Sequence, residues 1–379
     1  MRTLFVLACL CLAACTTVPT RQQTDSLLDD AAYGQPPDEL QQLNLFAISP
    51  AMHQFVAREV AKQMRLHGDS RGLYAAIRTQ LHIDYDASTT RPAAQTFITR
   101  SGNCLSLVIL TAALARDAGV AVHFQYVPGE GSWTRFDGVI FRNGHVNIAL
   151  DSRKTTVDGR SFGSALIVDF LPSVDLEGLR TVEISERRIL AMYMSNRAGE
   201  NFADGDVDAA YWWARAALDK DPSFSDPYNT LGVIHRQRGE LQLAERSFRM
   251  ALTIRPDNAV VLSNLIGLLT AQGRETEADP LRQTLARIEP VRPYAYLDAG
   301  NAALAAGDAK LAMHYFREEL QRMPYNADVH YAMAVAAARL DRLTEAGQFL
   351  ASAAVLSPNL SDRQIYASKL EKLRALSTN

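Results

Sequence analysis

Prolines at 222, 256, 290, 324 and 358 recur every 34 residues, and this period constrains the fold of the 379-residue chain more than any other feature. Aligned on it, alanines fall at 210, 244, 278, 312 and 346, and glycines at 205, 239, 273 and 307, with Asp341 in the fifth copy. Each position has a physical role in a pair of antiparallel helices. The alanine lets the two helices approach closely, the glycine turns the chain after the first, and the proline stops the second before the next copy begins. Units of this kind cannot bury their apolar faces alone, so they stack into a solenoid.

The second copy, through Tyr228, Leu231, Gly232, Gly239, Ala244, Phe248, Ala251 and Pro256, resembles the tetratricopeptide repeat almost in full. The resemblance implies five repeats over residues 189–358, followed by a capping helix over 359–379 from the charged amphipathic run Asp362 to Leu376. The first copy is less regular, with Ala198-Gly199 near its small position and Trp212-Trp213 on its second helix, as expected where an array meets another domain. Such stacks form a concave groove that takes a peptide or protein partner. Asn229, Asn264 and Asn301, on first helices, are candidate groove residues. The plainer alternative is a spacer or brace for the N-terminal domain.

At the other end, one basic residue, Arg2, precedes an apolar run from Leu4 to Leu12 that is too short to span a bilayer. It closes in Leu12-Ala13-Ala14-Cys15, which resembles the lipobox of bacterial lipoproteins. The expectation is a lipoprotein signal peptide over 1–14, lipid attachment at Cys15, and a lipid-anchored tether over 15–43. Because Thr16 replaces the aspartate typical of inner-membrane retention, the expected address is the outer membrane of a Gram-negative bacterium, facing the periplasm. Lys+Arg total 39 against 42 Asp+Glu, with no polybasic block, so nucleic acid is not an expected partner.

Residues 44–188 read as helices followed by an antiparallel sheet, an α+β domain. Helical spacing covers Ser49 to Met64, Asp69 to Leu81 and Ala93 to Thr99. The turn Gly102-Asn103-Cys104 runs into an apolar helix, Leu105 to Asp117, closed by Gly119. Alternation over Val120–Val127 predicts a strand, Val139–Leu150 predicts a hairpin around Asn143-Gly144, and Ala165–Phe170 and Thr181–Ile184 predict further strands.

With Cys9 and Cys11 in the leader and Cys15 the expected lipid site, Cys104 has no disulfide partner, and its place at a helix start favours a thiolate. His145 shares a strand face with Asn147 and Ala149, and Asp169 shares one with Ile167 and Ala165. A thiol at a helix start, a histidine on one strand and a carboxylate on its neighbour is what a nucleophilic cysteine needs. Among rivals, His123 sits mid-strand beside Phe124 as a packed histidine would. Asp151 lies about 20 Å along the strand from His145. Asp84 and Asp86 lack metal-ligand partners and read as turn caps. No metal or nucleotide motif is present, so no cofactor is expected.

Arg100-Ser101-Gly102-Asn103-Cys104, with the helix ending Ala115 to Val122, resembles the nucleophile segment of the transglutaminase-like superfamily, related to papain-like cysteine proteases. The resemblance covers roughly residues 80 to 175. It implies Cys104 as nucleophile, His145 as general base and then acid, and Asp169 as the orienting carboxylate, with the Cys104 N–H in an oxyanion hole. Gln95 and Gln125 are second-donor candidates by residue type alone. The chain departs from the family in His145-Val146-Asn147-Ile148-Ala149, where a tryptophan often follows the histidine, and in Phe170-Leu171-Pro172, where proline usually comes directly after the aspartate. The calcium requirement of animal transglutaminases does not carry over. The expectation is a membrane-anchored, cysteine-dependent acyl-transfer enzyme that cleaves or transamidates a peptide or protein through a thioester, with the repeats recruiting substrate. The alternative is a non-catalytic cell-envelope scaffold or assembly factor acting through its repeats.

Overall fold

The computed structural model describes residues 18–379 apart from 87–88, 137–138, 152–154, 158–159, 163–164, 171–179, 290, 292–293, 325, 358–359 and 378–379. Cys15 with the apolar run before it, Pro172, and two of the periodic prolines, Pro290 and Pro358, lie outside the described residues.

The N-terminal half opens with α1 (Arg21–Asp25), α2 (Asp38–Gln41), α3 (Pro50–Phe55), α4 (Ala61–His67) and α5 (Asp69–Ala76). A π-helical turn, Val56–Val60, carries α3 into α4, and another, Ile77–Leu81, extends α5. Strand β1 (Asp84–Tyr85) pairs in parallel with β2 (Ser101–Gly102), on either side of α6 (Ala93–Thr99). Then α7 (Cys104–Asp117) begins. Asn103 caps it, its side chain accepting from the Ser106 N–H at 2.9 Å. At the far end Gly119, at φ +76, closes a Schellman turn in which the Val120 and Gly119 N–H groups reach the Ala115 and Arg116 carbonyls. Every residue from Leu105 to Ala115 is buried, so α7 is a central helix with no solvent face.

Against α7 lies a four-stranded antiparallel sheet of β3 (Ala121–Phe136), β4 (Val139–Asp151), β7 (Leu166–Val168) and β8 (Val182–Ile184), in the order β7-β4-β3-β8. Short β5 (Thr155–Val157) and β6 (Arg160–Phe162) pair separately. The expected hairpin at Asn143-Gly144 is corrected here. Both residues lie within β4, opposite Ser132 and Gly131 of β3, and the two strands pair as far as Phe136 and Val139. Long-range pairing supplies backbone hydrogen bonds through the Asn-Gly step and overrides its local turn preference.

From residue 186 the chain is helical. The paired helices are α8 (Glu186–Ala203) with α9 (Val207–Lys220), α10 (Ser225–Gln237) with α11 (Leu241–Ile254), α12 (Ala259–Ala271) with α13 (Glu275–Ile288), α14 (Ala295–Ala305) with α15 (Ala309–Arg322), and α16 (Ala327–Arg339) with α17 (Leu343–Leu356). Helix α18 (Leu360–Ser377) follows. The chain therefore carries a tetratricopeptide-repeat solenoid. The periodic Gly205, Gly239, Gly273 and Gly307 adopt φ between +71 and +86, and Asp341 takes +58 in the fifth copy. Glycine meets that backbone demand without a Cβ penalty.

Of the segment expected to be a lipid-anchored tether, the described residues from 18 to 43 are instead packed against the repeats. Leu27 and Tyr33 are 1% and 6% exposed, and a buried leucine contributes roughly 2 kcal/mol of apolar burial. Tyr33 stacks on Tyr211 of α9 with ring centroids 3.7 Å apart, and Thr24 bonds the Tyr228 hydroxyl at 2.8 Å. Arg215 holds Asp30 at 2.8 Å, and the Trp212 indole donates to the Gly34 carbonyl at 2.7 Å. Gln and Pro content suggested a linker, but the apolar and aromatic residues scattered through it find partners some two hundred positions away.

Candidate functional site

The Cys104 turn is built from three directions. Pairing of β1 with β2 sets the backbone, with Asp84 and Asp86 N–H groups donating to the Arg100 and Gly102 carbonyls. Gly102 is required by close approach, since a Cβ there would lie 2.7 Å from that of Ser106. The Asn103 amide donates to Thr90 Oγ1 at 2.8 Å, while Asn196 of α8 donates to the same oxygen at 3.1 Å and Glu200 of α8 accepts the Thr90 N–H at 2.7 Å. The first repeat helix therefore buttresses the cysteine turn. Asp86 is not a free turn cap: it is buried in an ion pair with Arg91 at 3.2 Å.

The structure brings Cys104, His145 and Asp169 together. His145 sits on β4, and its Nε2 hydrogen-bonds the Asp169 carboxylate, which follows β7. Asn147, two residues along the same face, reaches that carboxylate at 3.5 Å. Nδ1 of His145 and Oδ1 of Asn147 are buried without an aligned hydrogen-bond partner among the described residues. Burial by itself would pull the His145 imidazole down, but the bond to Asp169 and the adjacent Cys104 thiol outweigh it and push the pKa up to about 9. Cys104 itself is half-buried.

Tyr85 is a member of the cluster that sequence reasoning missed. It follows Asp84 in β1, opposite Gly102 in the β1–β2 register, which brings it to the Cys104 turn. Burial, then the neighbouring thiol, hold its pKa well above the ordinary phenol value. No sequence motif marks a tyrosine two residues before a loop, and only the β1–β2 pairing places it there. Gln95 is exposed on α6, whereas Gln125 lies opposite Asn147 in the β3–β4 register, with its Oε1 buried. His123 and Asp151 form a separate group: His123 bridges Asp151 and Glu183 at 3.0 Å each. Among the described residues no cluster could hold a metal ion, and no helix is long and apolar enough to cross a membrane.

In the array, Asn264 of α12 donates to Asn229 of α10 at 2.9 Å, so two of the three candidate groove asparagines touch; Asn301 is exposed on α14.

Comparison with known proteins identifies the repeats. A tetratricopeptide repeat family model matches residues 201–259 and 281–361. A curated relative, the type IV pilus assembly protein PilF of Pseudomonas aeruginosa, is 31% identical over 119 residues, which is 31% of this chain and 47% of PilF. The match thus spans about half the length of that relative. Among solved structures, one of Pseudomonas aeruginosa pilF is 22% identical and covers 50% of this chain and 94% of that one, with a TM-score of 0.28. A thermophilic TPR protein of Thermus thermophilus is 20% identical over 48% of this chain and 98% of its own, with a TM-score of 0.29. The expectation that the chain is a cysteine-dependent acyl-transfer enzyme is corrected by these matches. The family matched is a repeat family and the curated relative is an assembly protein, which favours the non-catalytic alternative. What the comparisons establish for this chain is its tetratricopeptide repeats.

Proposed function

We propose that the chain is a scaffold or assembly factor of the bacterial cell envelope that binds a peptide or protein partner through its repeats. The observation that carries this reading is the repeat array itself, together with the chain's 31% identity over 119 residues to a pilus assembly protein. Envelope location is supported by the N-terminal apolar run closing in Cys15, the expected lipid site, with the outer membrane facing the periplasm as the address. The Cys104, His145 and Asp169 cluster, in a unit whose N-terminal sequence resembles the transglutaminase-like superfamily, is retained without turnover. In this reading it is a polar network that fixes α7 to the sheet.

The test compares partners captured from envelope extracts by the wild-type chain, by Cys104→Ala, and by Asn229→Arg with Asn264→Arg. The scaffold reading expects Cys104→Ala to capture the same partner as wild type and the groove pair to lose it. Loss of the partner in Cys104→Ala, with the fold intact by circular dichroism, would overturn the reading.

A further inference from the structure

The segment that follows the expected lipid site is held to the array along much of its length. Pro19 is buried, and Thr20 opens α1 with a reciprocal capping box, in which its side chain accepts the Gln23 N–H and the Gln23 side chain accepts the Thr20 N–H at 2.8 Å. Thr24 bonds the Tyr228 hydroxyl of α10, and Ser26 accepts from Arg246 of α11 at 2.6 Å. His235 of α10 donates to the Leu27 carbonyl at 3.0 Å, and the Asp29 N–H donates to the Tyr211 hydroxyl of α9 at 2.9 Å. Past the Tyr33 stack on Tyr211, Arg197 of α8 holds Glu39 at 3.0 Å, and the Leu45 carbonyl accepts the Ala93 N–H at 2.9 Å.

This seating limits how far the array can stand from a lipid on Cys15. A free chain from Cys15 to Leu43 would reach about 100 Å when extended, with a root-mean-square span of about 30 Å. With the chain held from Pro19 onward, only the step from Cys15 to Pro19 is left, and it spans at most about 14 Å. That is less than half of the roughly 30 Å hydrocarbon thickness of a bilayer. Val18, the described residue nearest the expected anchor, is apolar and 61% exposed. The part of the array nearest that point is the second repeat, because Thr24 bonds near the start of α10 and Ser26 bonds α11.

We propose that the N-terminal segment is a fixed mount, and that α1 with the second repeat, α10 and α11, is the membrane-facing side of the protein, apposed to the phospholipid bilayer that holds the Cys15 lipid. That bilayer is the occupant of this surface because the chain between Cys15 and Pro19 is too short to place it elsewhere. The proposal rests on the envelope-lipoprotein reading above and goes beyond it by fixing the orientation of the array. A partner engaged by the first two repeats is then one that lies at the same membrane surface.

The experiment uses the full chain, made with its leader and checked for the Cys15 lipid by mass spectrometry, in vesicles of phosphatidylethanolamine and phosphatidylglycerol that carry a nitroxide on the headgroup. A fluorophore on Gln242→Cys, exposed on α11 one turn before Arg246, reports proximity to the bilayer in a Cys104→Ser background. Its quenching should be strong. Inserting a flexible Gly/Ser linker of about thirty residues between Thr16 and Thr17 should cut that quenching at least about threefold, because it returns the reach of a free tether and leaves every contact of the seated segment in place. Equal quenching with and without the linker, weak or strong, would overturn the mount. A mass spectrum showing Cys15 unmodified would instead remove the lipoprotein reading, and the proposal with it.

Discussion

Nε2 of His145 hydrogen-bonds the carboxylate of Asp169 between β4 and the end of β7, with the two side chains 1% and 5% exposed. The pair is not directly opposed in the sheet. Ile148 faces Val168, so Asp169 comes next to Asn147, and His145 reaches it diagonally along the same face. Diagonal neighbours on one sheet face are within reach of longer side chains.

This relationship predicts a pH dependence. An unfolded histidine titrates near about 6.5. With the folded value raised to about 9, the stabilisation is fully present below the unfolded value and is lost as pH rises through about 9. An NMR titration should place the His145 midpoint near 9 in the wild type and move it toward the ordinary histidine value in Asp169→Asn. A wild-type midpoint near about 6.5 would contradict the geometry.

The repeat helices approach too closely for a side chain at two glycines. A Cβ on Gly232 would lie 2.5 Å from the Phe248 ring, and one on Gly300 would lie 2.2 Å from the Phe316 ring, both rings being fully buried. Each Gly→Ala substitution should destabilise by about 1–3 kcal/mol through overpacking. Thermal denaturation would read this as a lowered Tm, with Phe248→Leu recovering part of the Gly232→Ala loss.

Residues 18–46 should behave as part of the core. Tyr33→Ala removes a ring stacked on Tyr211 and should cost about 3–5 kcal/mol by analogy with other buried aromatic truncations. Hydrogen exchange should show protection around Leu27 and Tyr33. Rapid exchange throughout that stretch, with a melting temperature indifferent to Tyr33→Ala, would restore the tether.

Glu319 is fully buried on α15, where Oε2 accepts the Tyr296 and Leu297 N–H groups at 2.8 and 3.1 Å, and Arg322 meets Oε1 at 3.2 Å. Glu319→Ala leaves the first N–H groups of α14 unsatisfied and should cost about 2–4 kcal/mol. The loss should be centred on the apolar cluster that runs from Tyr294 to Ala346. Exchange measured segment by segment should rise across α14 to α17 and stay unchanged in α10 and α11.

The solenoid and the start of α7 were legible in the sequence because both rest on local backbone chemistry. Proline stops, positive-φ glycines, small residues at helix crossings and an asparagine cap act over a few positions, whichever tertiary partners surround them. Strand alternation likewise separated His145 from the aliphatic face of β4 before any contact was known. The same local logic placed a turn at Asn143-Gly144, where the length of the β3–β4 pairing decided otherwise.

What only the tertiary structure decided are contacts between residues far apart in the chain. Tyr85 comes to the cysteine turn because β1 pairs with β2, and Thr90 joins that turn to α8. The sequence by itself determined the repeating unit, since its geometry is set within 34 residues by φ/ψ preferences and side-chain volume. The tertiary structure determined the packing of the N-terminal segment and the set of side chains gathered around the cysteine turn. Those depend on which distant surfaces exclude water together, and no local preference encodes that.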